Sequence, residues 1–144
     1  MKAYFDSAVL IKLYVAEPNS AEAVKWVQHY KESLVFTPLQ EIEVRNAIRL
    51  KAARREITDD ELRKALRHIK ADFDAGFLDR PVLDWSQVWL KAEDLSAHHG
   101  REVQSRTLDT LHVAIACCLG LHGFVSFDHR QSALAKKAGL RVKG

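Results

Sequence analysis

The sequence predicts an α/β fold: a mainly parallel central sheet of about five strands flanked by helices, in three layers (α/β/α). Three observations predict it. Short β-prone apolar runs alternate with stretches of helical periodicity along the whole chain. No two candidate strands are joined by a hairpin dipeptide. Helix-start signals such as Thr37-Pro38-Leu39-Gln40 directly follow strand candidates. Strands joined only through helices must run parallel, and the crossovers cover both faces of the sheet.

In order, Lys2–Phe5 reads as a first strand ending at Asp6, and Ser7–Val15 as a helix stopped by Glu17-Pro18. Asn19-Ser20-Ala21-Glu22 has the form of a capping box, followed by Ala23, Val24, Val27 and Tyr30 at helical spacing. Leu34–Phe36 is the second strand candidate. Thr37 caps the helix carrying Ile42, Val44, Ala47, Ile48 and Leu50. Thr58-Asp59-Asp60-Glu61 is a further capping box; Leu62, Leu66, Ile69 and Phe73 form its stripe, and Gly76 its stop. Pro81–Leu83 reads as a short third strand. A helix over 86–99 should stop at Gly100, leaving Arg101–Arg106 as loop. Thr107–Leu119 is a compact apolar helix, Gly123–Phe127 a strand ending at Asp128, Gln131–Ala138 a helix, and Leu140–Val142 a last strand.

One domain over 1–144 accommodates these elements, since 144 residues suffice for a single buried core and no repeat or linker interrupts them. With 47% hydrophobic and 28% charged residues, disorder is excluded as the default. A net charge of +3 is a weak sign of a nucleic-acid partner. Adjacent Cys117 and Cys118 read as reduced, buried thiols. An acid at position 6 comes too early for a signal peptide, and no run reaches 18 uncharged apolar residues. The expectation is a cytoplasmic protein without a membrane anchor.

Four acids stand out. Asp6 and Asp128 lie at strand ends, on the edge of a parallel sheet where sites form. Asp109 lies in the first turn of an otherwise apolar helix. Each has an ordinary reading alone: Asp6 and Asp128 as helix caps, Asp109 as a first-turn acid favoured by the dipole, Glu43 as a solvated helix residue. Together they suggest more, because a carboxylate in an apolar helix is costly unless paired or bound to metal. An all-carboxylate set suits a hard cation, Mg²⁺ or Mn²⁺, rather than Zn²⁺.

Four segments then resemble a family. Tyr4-Phe5-Asp6-Ser7-Ala8 is similar to the opening Asp motif of PIN domains, and Glu41-Ile42-Glu43-Val44-Arg45-Asn46-Ala47 to their Glu-bearing helix. Leu108-Asp109-Thr110-Leu111-His112-Val113-Ala114 resembles their Asp-x-x-His-x-Ala helix, and Phe124-Val125-Ser126-Phe127-Asp128 their final acidic strand. Order and spacing agree over nearly the whole chain, and the likeness is to VapC-type toxin ribonucleases.

The resemblance implies four acids converging on one or two divalent ions. Asp6, Glu43, Asp109 and Asp128 take the catalytic and metal-ligand positions, with Mg²⁺ as cofactor and Mn²⁺ as substitute. Glu43 matches better than Glu41, because it directly precedes Val-Arg-Asn-Ala. Ser7 and Thr37 become supporting hydrogen-bonders, with a helix cap as the other reading of Thr37; Ser126 has the same alternatives, as site residue or strand residue. Asn46, one turn after Glu43, faces the same way. His112 reads as a packed histidine that orients Asp109.

RNA is the implied substrate, and Arg45, Arg49 and Arg106 are candidates for its backbone, against a solvated helix face as the other reading. A VapB-like antitoxin and a homodimer are the implied partners. Leu10, Leu13 and Tyr14 are candidates for such a surface, and Trp85 and Trp89, at i and i+4, for core or subunit contact. Two other functions remain: a PIN nuclease acting in RNA processing or on DNA outside a toxin–antitoxin pair, and a catalytically inactive binding module. An aspartyl-nucleophile phosphatase would want an acid where Ala8 stands.

Overall fold

The computed structural model describes residues 2–144. Twelve elements follow in chain order: β1 (Ala3–Phe5), α1 (Ser7–Ile11), α2 (Ser20–His29), β2 (Leu34–Val35), α3 (Pro38–Ala53), α4 (Asp59–Asp74), β3 (Leu78–Asp79), α5 (Trp85–Val103), α6 (Thr107–Cys118), β4 (Gly123–Val125), α7 (His129–Lys137) and β5 (Arg141–Lys143). The α/β expectation holds, and every strand pair is parallel. The five strands form two hydrogen-bonded sheets, ordered β1-β4-β5 and β2-β3. The chain divides into two compact units, the N-terminal segment through Asp6 with Pro81–Gly144, and Ser7–Arg80.

In the first unit Tyr4 stands opposite Phe124, which stands opposite Val142. The Tyr4 and Phe124 rings stack at 5.5 Å. Residues Ala3–Phe5 and Gly123–Val125 are all buried, as strands covered on both faces require. Helix α6 is buried continuously from Thr110 to Ala116 and packs along α5. Its depth is anchored by His112, whose Nδ1 lies 2.6 Å from the Tyr4 hydroxyl. The packed-histidine reading is therefore what the fold shows.

Helix α5 does not stop at Gly100 but runs to Val103, so Arg101–Val103 are helical rather than loop. Glycine ends a helix only where the backbone turns left-handed, and here Gln104 makes that turn, with φ 58. Trp85 is half-buried and Trp89 is 57% exposed, so Trp89 is not a core residue. Cys117 is half-buried and Cys118 exposed, correcting the expectation of two buried thiols; both are free.

In the second unit the capping boxes of α3 and α4 form as the sequence predicts. Gly76, at φ +79, ends α4; the Phe77 N–H reaches back to the Asp72 carbonyl at 2.9 Å, closing a left-handed helix end. That turn launches β3 at Leu78, so the third strand precedes Arg80 and Pro81–Leu83 is irregular. Pro81 has no N–H to give a ladder, whereas Phe77 and Asp79 carbonyls accept from Leu34 and Phe36 at 2.8 Å each.

The first helix is also shorter than expected. Past Ile11 the chain closes three-residue turns, with Lys12, Leu13 and Tyr14 N–H groups on the Val9, Leu10 and Ile11 carbonyls. Asn19 adopts φ 67 and makes no side-chain cap, so the capping box there does not form. Ser20 Oγ instead accepts from the Glu17 N–H at 2.9 Å. Leu10 is fully buried and is no partner surface, while Tyr14 donates to Asp72 at 2.7 Å. Each fully buried side chain here, Val9, Leu10, Val44, Ile48 and Ile69 among them, contributes roughly 1.5–3 kcal/mol.

Candidate active site

The strand ends of the first unit carry the chemistry. Asp6 directly follows β1, and its N–H donates to the Val125 carbonyl at 3.0 Å, which fixes it at the end of the β1–β4 ladder. Its side chain is 3% exposed. Such burial is tolerable for a carboxylate only with charge-assisted donors, and the Ser126 hydroxyl, just past β4, donates to Asp6 Oδ2. Ser126 thus touches a candidate site acid, where the sequence favours a plain strand residue.

Gln131, inside the first turn of α7, completes the arrangement. It is 2% exposed. Its Oε1 lies 3.0 Å from Ser126 Oγ, and its Nε2 lies 3.4 Å from Asp109 Oδ1. The single hydroxyl proton of Ser126 serves the charged acceptor, Asp6. Asp128 caps α7, its Oδ1 accepting from the Gln131 N–H at 2.8 Å, while its own N–H donates to Ser126 Oγ at 3.0 Å. The cap reading of Asp128 holds, and the cap also ties it to the other two acids. Sequence reading missed Gln131 in this role. The available signal was Asp128-x-x-Gln131, a cap pattern with its polar N3 residue pointing inward.

Asp109, the third residue of α6, is half-buried. Burial pushes its carboxyl above the usual carboxylate range, and the charge of Asp128 adds to the rise; the backbone at Arg106 and nearby His112 and Arg106 oppose it. A carboxylate whose charged form is disfavoured beside a second acid marks a place where a cation would be welcome. Among the described residues no three His, Cys, Asp or Glu side chains are already grouped as a metal-holding cluster. The donor set fits a hard divalent ion nonetheless: Asp6, Asp109 and Asp128 offer only oxygens, joined by Ser126 and Gln131.

In the second unit Glu43 lies half-buried on α3, and Ser7 Oγ, the residue after Asp6 in the chain, donates to its Oε1 at 3.0 Å. Glu41 is engaged elsewhere: Arg80 grips both its oxygens, at 2.9 and 3.0 Å, and Arg45 approaches to 3.6 Å. Thr37 is fully buried, and its side chain caps α3 by accepting from the Gln40 N–H. Asn46 and Arg49 are exposed on α3. Arg106 is exposed at the N-terminus of α6, where its carbonyl receives the Thr110 N–H. On α4, Arg63 pairs with Asp60 and Lys70 with Asp74, as on a solvated helix face.

Comparison with known proteins identifies the family. The PIN domain family model matches residues 3–137. Ribonuclease VapC46 of Mycobacterium tuberculosis is 31% identical over 141 residues, covering 96% of this chain and 94% of the relative. The fold is shared with FitAcB from Neisseria gonorrhoeae, with TM-score 0.62 and 14% identity over 99% of this chain and 96% of the other. It is shared also with PAE2754 from Pyrobaculum aerophilum, with TM-score 0.58 and 24% identity over 99% and 83% of the two chains. No helix among the described residues is long and apolar enough to cross a membrane. With a family match over most of its length and a homologous VapC ribonuclease, the chain belongs to the PIN-domain family.

Proposed function

We propose that this chain is a metal-dependent endoribonuclease of the VapC type, the toxin of a toxin–antitoxin pair, acting in the cytoplasm. The observation that carries it is the linked trio of Asp6, Asp109 and Asp128, with Asp109 held above its usual range beside Asp128. Glu43 is the fourth ligand by its place in the family motif. Mg²⁺ is the expected cofactor and Mn²⁺ a substitute. A VapB-like antitoxin and a second copy of the chain are the expected partners.

A bound divalent cation supplies Lewis acidity and neutralises charge on the scissile phosphodiester. The chain supplies geometry. Ser126 holds Asp6 in one orientation at the strand end. Gln131 fixes Asp109 with its amide while its backbone N–H fixes Asp128. Ser7 orients Glu43. The Tyr4–His112 contact keeps α6, and with it Asp109, at a set depth against β1. Hydrogen bonds of this kind orient carboxylates that would hold the ion.

Purified protein incubated with labelled RNA should cut it in Mg²⁺ or Mn²⁺ and not in chelator. Asp6→Asn and Asp109→Asn should each lose at least about 100-fold in rate. Cleavage surviving in both variants would refute the assignment. Metal binding by calorimetry without cleavage of any RNA would favour an inactive binding module.

A further inference from the structure

The short connection from α5 into α6 presents one arginine beside the acids of the first unit. Arg106 takes the cap position of α6, where its side chain makes no cap. A guanidinium has only donors and cannot accept from the helix N–H groups. Its backbone is nonetheless pinned. The Arg106 carbonyl accepts from both the N–H and the hydroxyl of Thr110, at 2.9 and 3.0 Å. Thr110 is 7% exposed, and the Ser105 hydroxyl lies 3.1 Å from its Oγ1. The Asp109 carboxyl in turn accepts from the backbone at Arg106. An exposed cation is thus mounted on a fixed piece of chain, just before a candidate metal ligand.

The guanidinium is also uncommitted. Arg106 makes no ion pair and no side-chain hydrogen bond among the described residues, although its charge is near enough to act on Asp109. The other two arginines that the sequence offers for RNA differ. Arg45 is bound to Glu41 at 3.6 Å. Arg49 follows Glu43 on α3 but is turned about 120° from it round the helix. Linked carboxylates repel a phosphodiester, so an anionic substrate needs a cation at the same edge to approach them. The fork of an arginine fits two phosphate oxygens at once.

We infer that Arg106 grips the non-bridging oxygens of the phosphodiester held at Asp109 and fixes the scissile phosphate against the acids. The inference rests on the ribonuclease reading above and deepens it. The start of α6 gives up a side-chain cap and presents a phosphate ligand in its place.

The test is binding of a short labelled single-stranded RNA, in Mg²⁺, to the full chain carrying Asp6→Asn to prevent cleavage, followed by anisotropy from about 50 to 200 mM salt. Adding Arg106→Ser should weaken binding about tenfold. It should also flatten the logarithmic salt slope by about 0.7, one phosphate contact on a single strand. The same substitution should raise the melting temperature, because serine supplies the cap that arginine cannot. Weaker binding with greater stability cannot arise from misfolding. Arg67→Gln, an equal charge change on the exposed face of α4, should leave affinity and slope as they are. An unchanged affinity or slope in Arg106→Ser, a lower melting temperature accompanying its loss of binding, or an equal loss in Arg67→Gln overturns the assignment. If the unsubstituted chain cuts RNA while any of these occurs, only the role of Arg106 fails; if it neither cuts nor binds RNA, the ribonuclease reading fails with it.

Discussion

The Ser126 hydroxyl donates to Asp6 Oδ2, linking the ends of the two adjacent strands β1 and β4. Asp6 is nearly inaccessible, so this donor offsets part of the cost of keeping a carboxylate there. Ser126→Ala should destabilise the metal-free protein by about 1–3 kcal/mol. The loss should shrink in saturating Mg²⁺, because an ion would take over the role of donor. Paired thermal melts with and without metal measure both effects; an equal loss in the two conditions would separate Asp6 from metal binding.

Asp109 behaves oppositely. Burial and then Asp128 raise its folded pKa, so the charged form is the disfavoured one in the fold. A raised acid contributes stability below its unfolded pKa and loses that contribution as pH rises through the folded value. At neutral pH the charged Asp109 is therefore a net cost. Asp109→Asn should stabilise the metal-free protein, by less than about 1 kcal/mol because the site is partly solvated. The same substitution should abolish stabilisation by added metal. A melt at pH 7 showing Asp109→Asn less stable than the parent without metal would contradict the electrostatic account.

Gln131→Ala removes the amide between Ser126 and Asp109 but leaves the backbone N–H that Asp128 accepts. The expected result is a 10–100-fold fall in metal affinity or kcat, the usual scale for residues that orient ligands, with KM for RNA nearly unchanged. Isothermal titration with Mn²⁺ beside steady-state kinetics checks it. A change confined to KM would place Gln131 against substrate instead.

Tyr14 and Asp72 tie the turn after α1 to α4, with the hydroxyl 2.7 Å from Oδ2. Burial first, and then the bond to Asp72, hold the Tyr14 hydroxyl protonated well above its usual range. Its contribution is therefore complete below the unfolded pKa near 10 and is lost only in more alkaline solution. Tyr14→Phe should cost about 1–2 kcal/mol, with the same difference from pH 6 to 9. A difference that faded below pH 9 would mean that the fold lowers the hydroxyl's pKa instead of raising it.

Local chemistry made much of this protein readable. The capping boxes at Thr37 and Thr58 appear as expected because a cap is decided within four residues. The parallel character of the strands follows from their alternation with helices. Asp6, Asp109 and Asp128 are visible in sequence because a strand-end or buried-helix acid violates the hydrophobic pattern.

Other features depend on contacts between residues distant in sequence. Gly100 continues α5, since a glycine interrupts a helix only if tertiary packing leaves the backbone free to turn. The third strand begins at Leu78, where the β2 backbone offers partners, rather than at Pro81. Ser126 and Gln131 look unremarkable along the chain; what brings them to the candidate site is that the ends of β1 and β4 lie beside the starts of α6 and α7. Sequence alone determined most element types, the caps at Thr37 and Thr58 and the candidate acids, because these are set by short-range propensity and by the cost of burying charge. Tertiary structure alone decided which polar side chains satisfy those acids, because a buried hydrogen bond selects its partner by position in space.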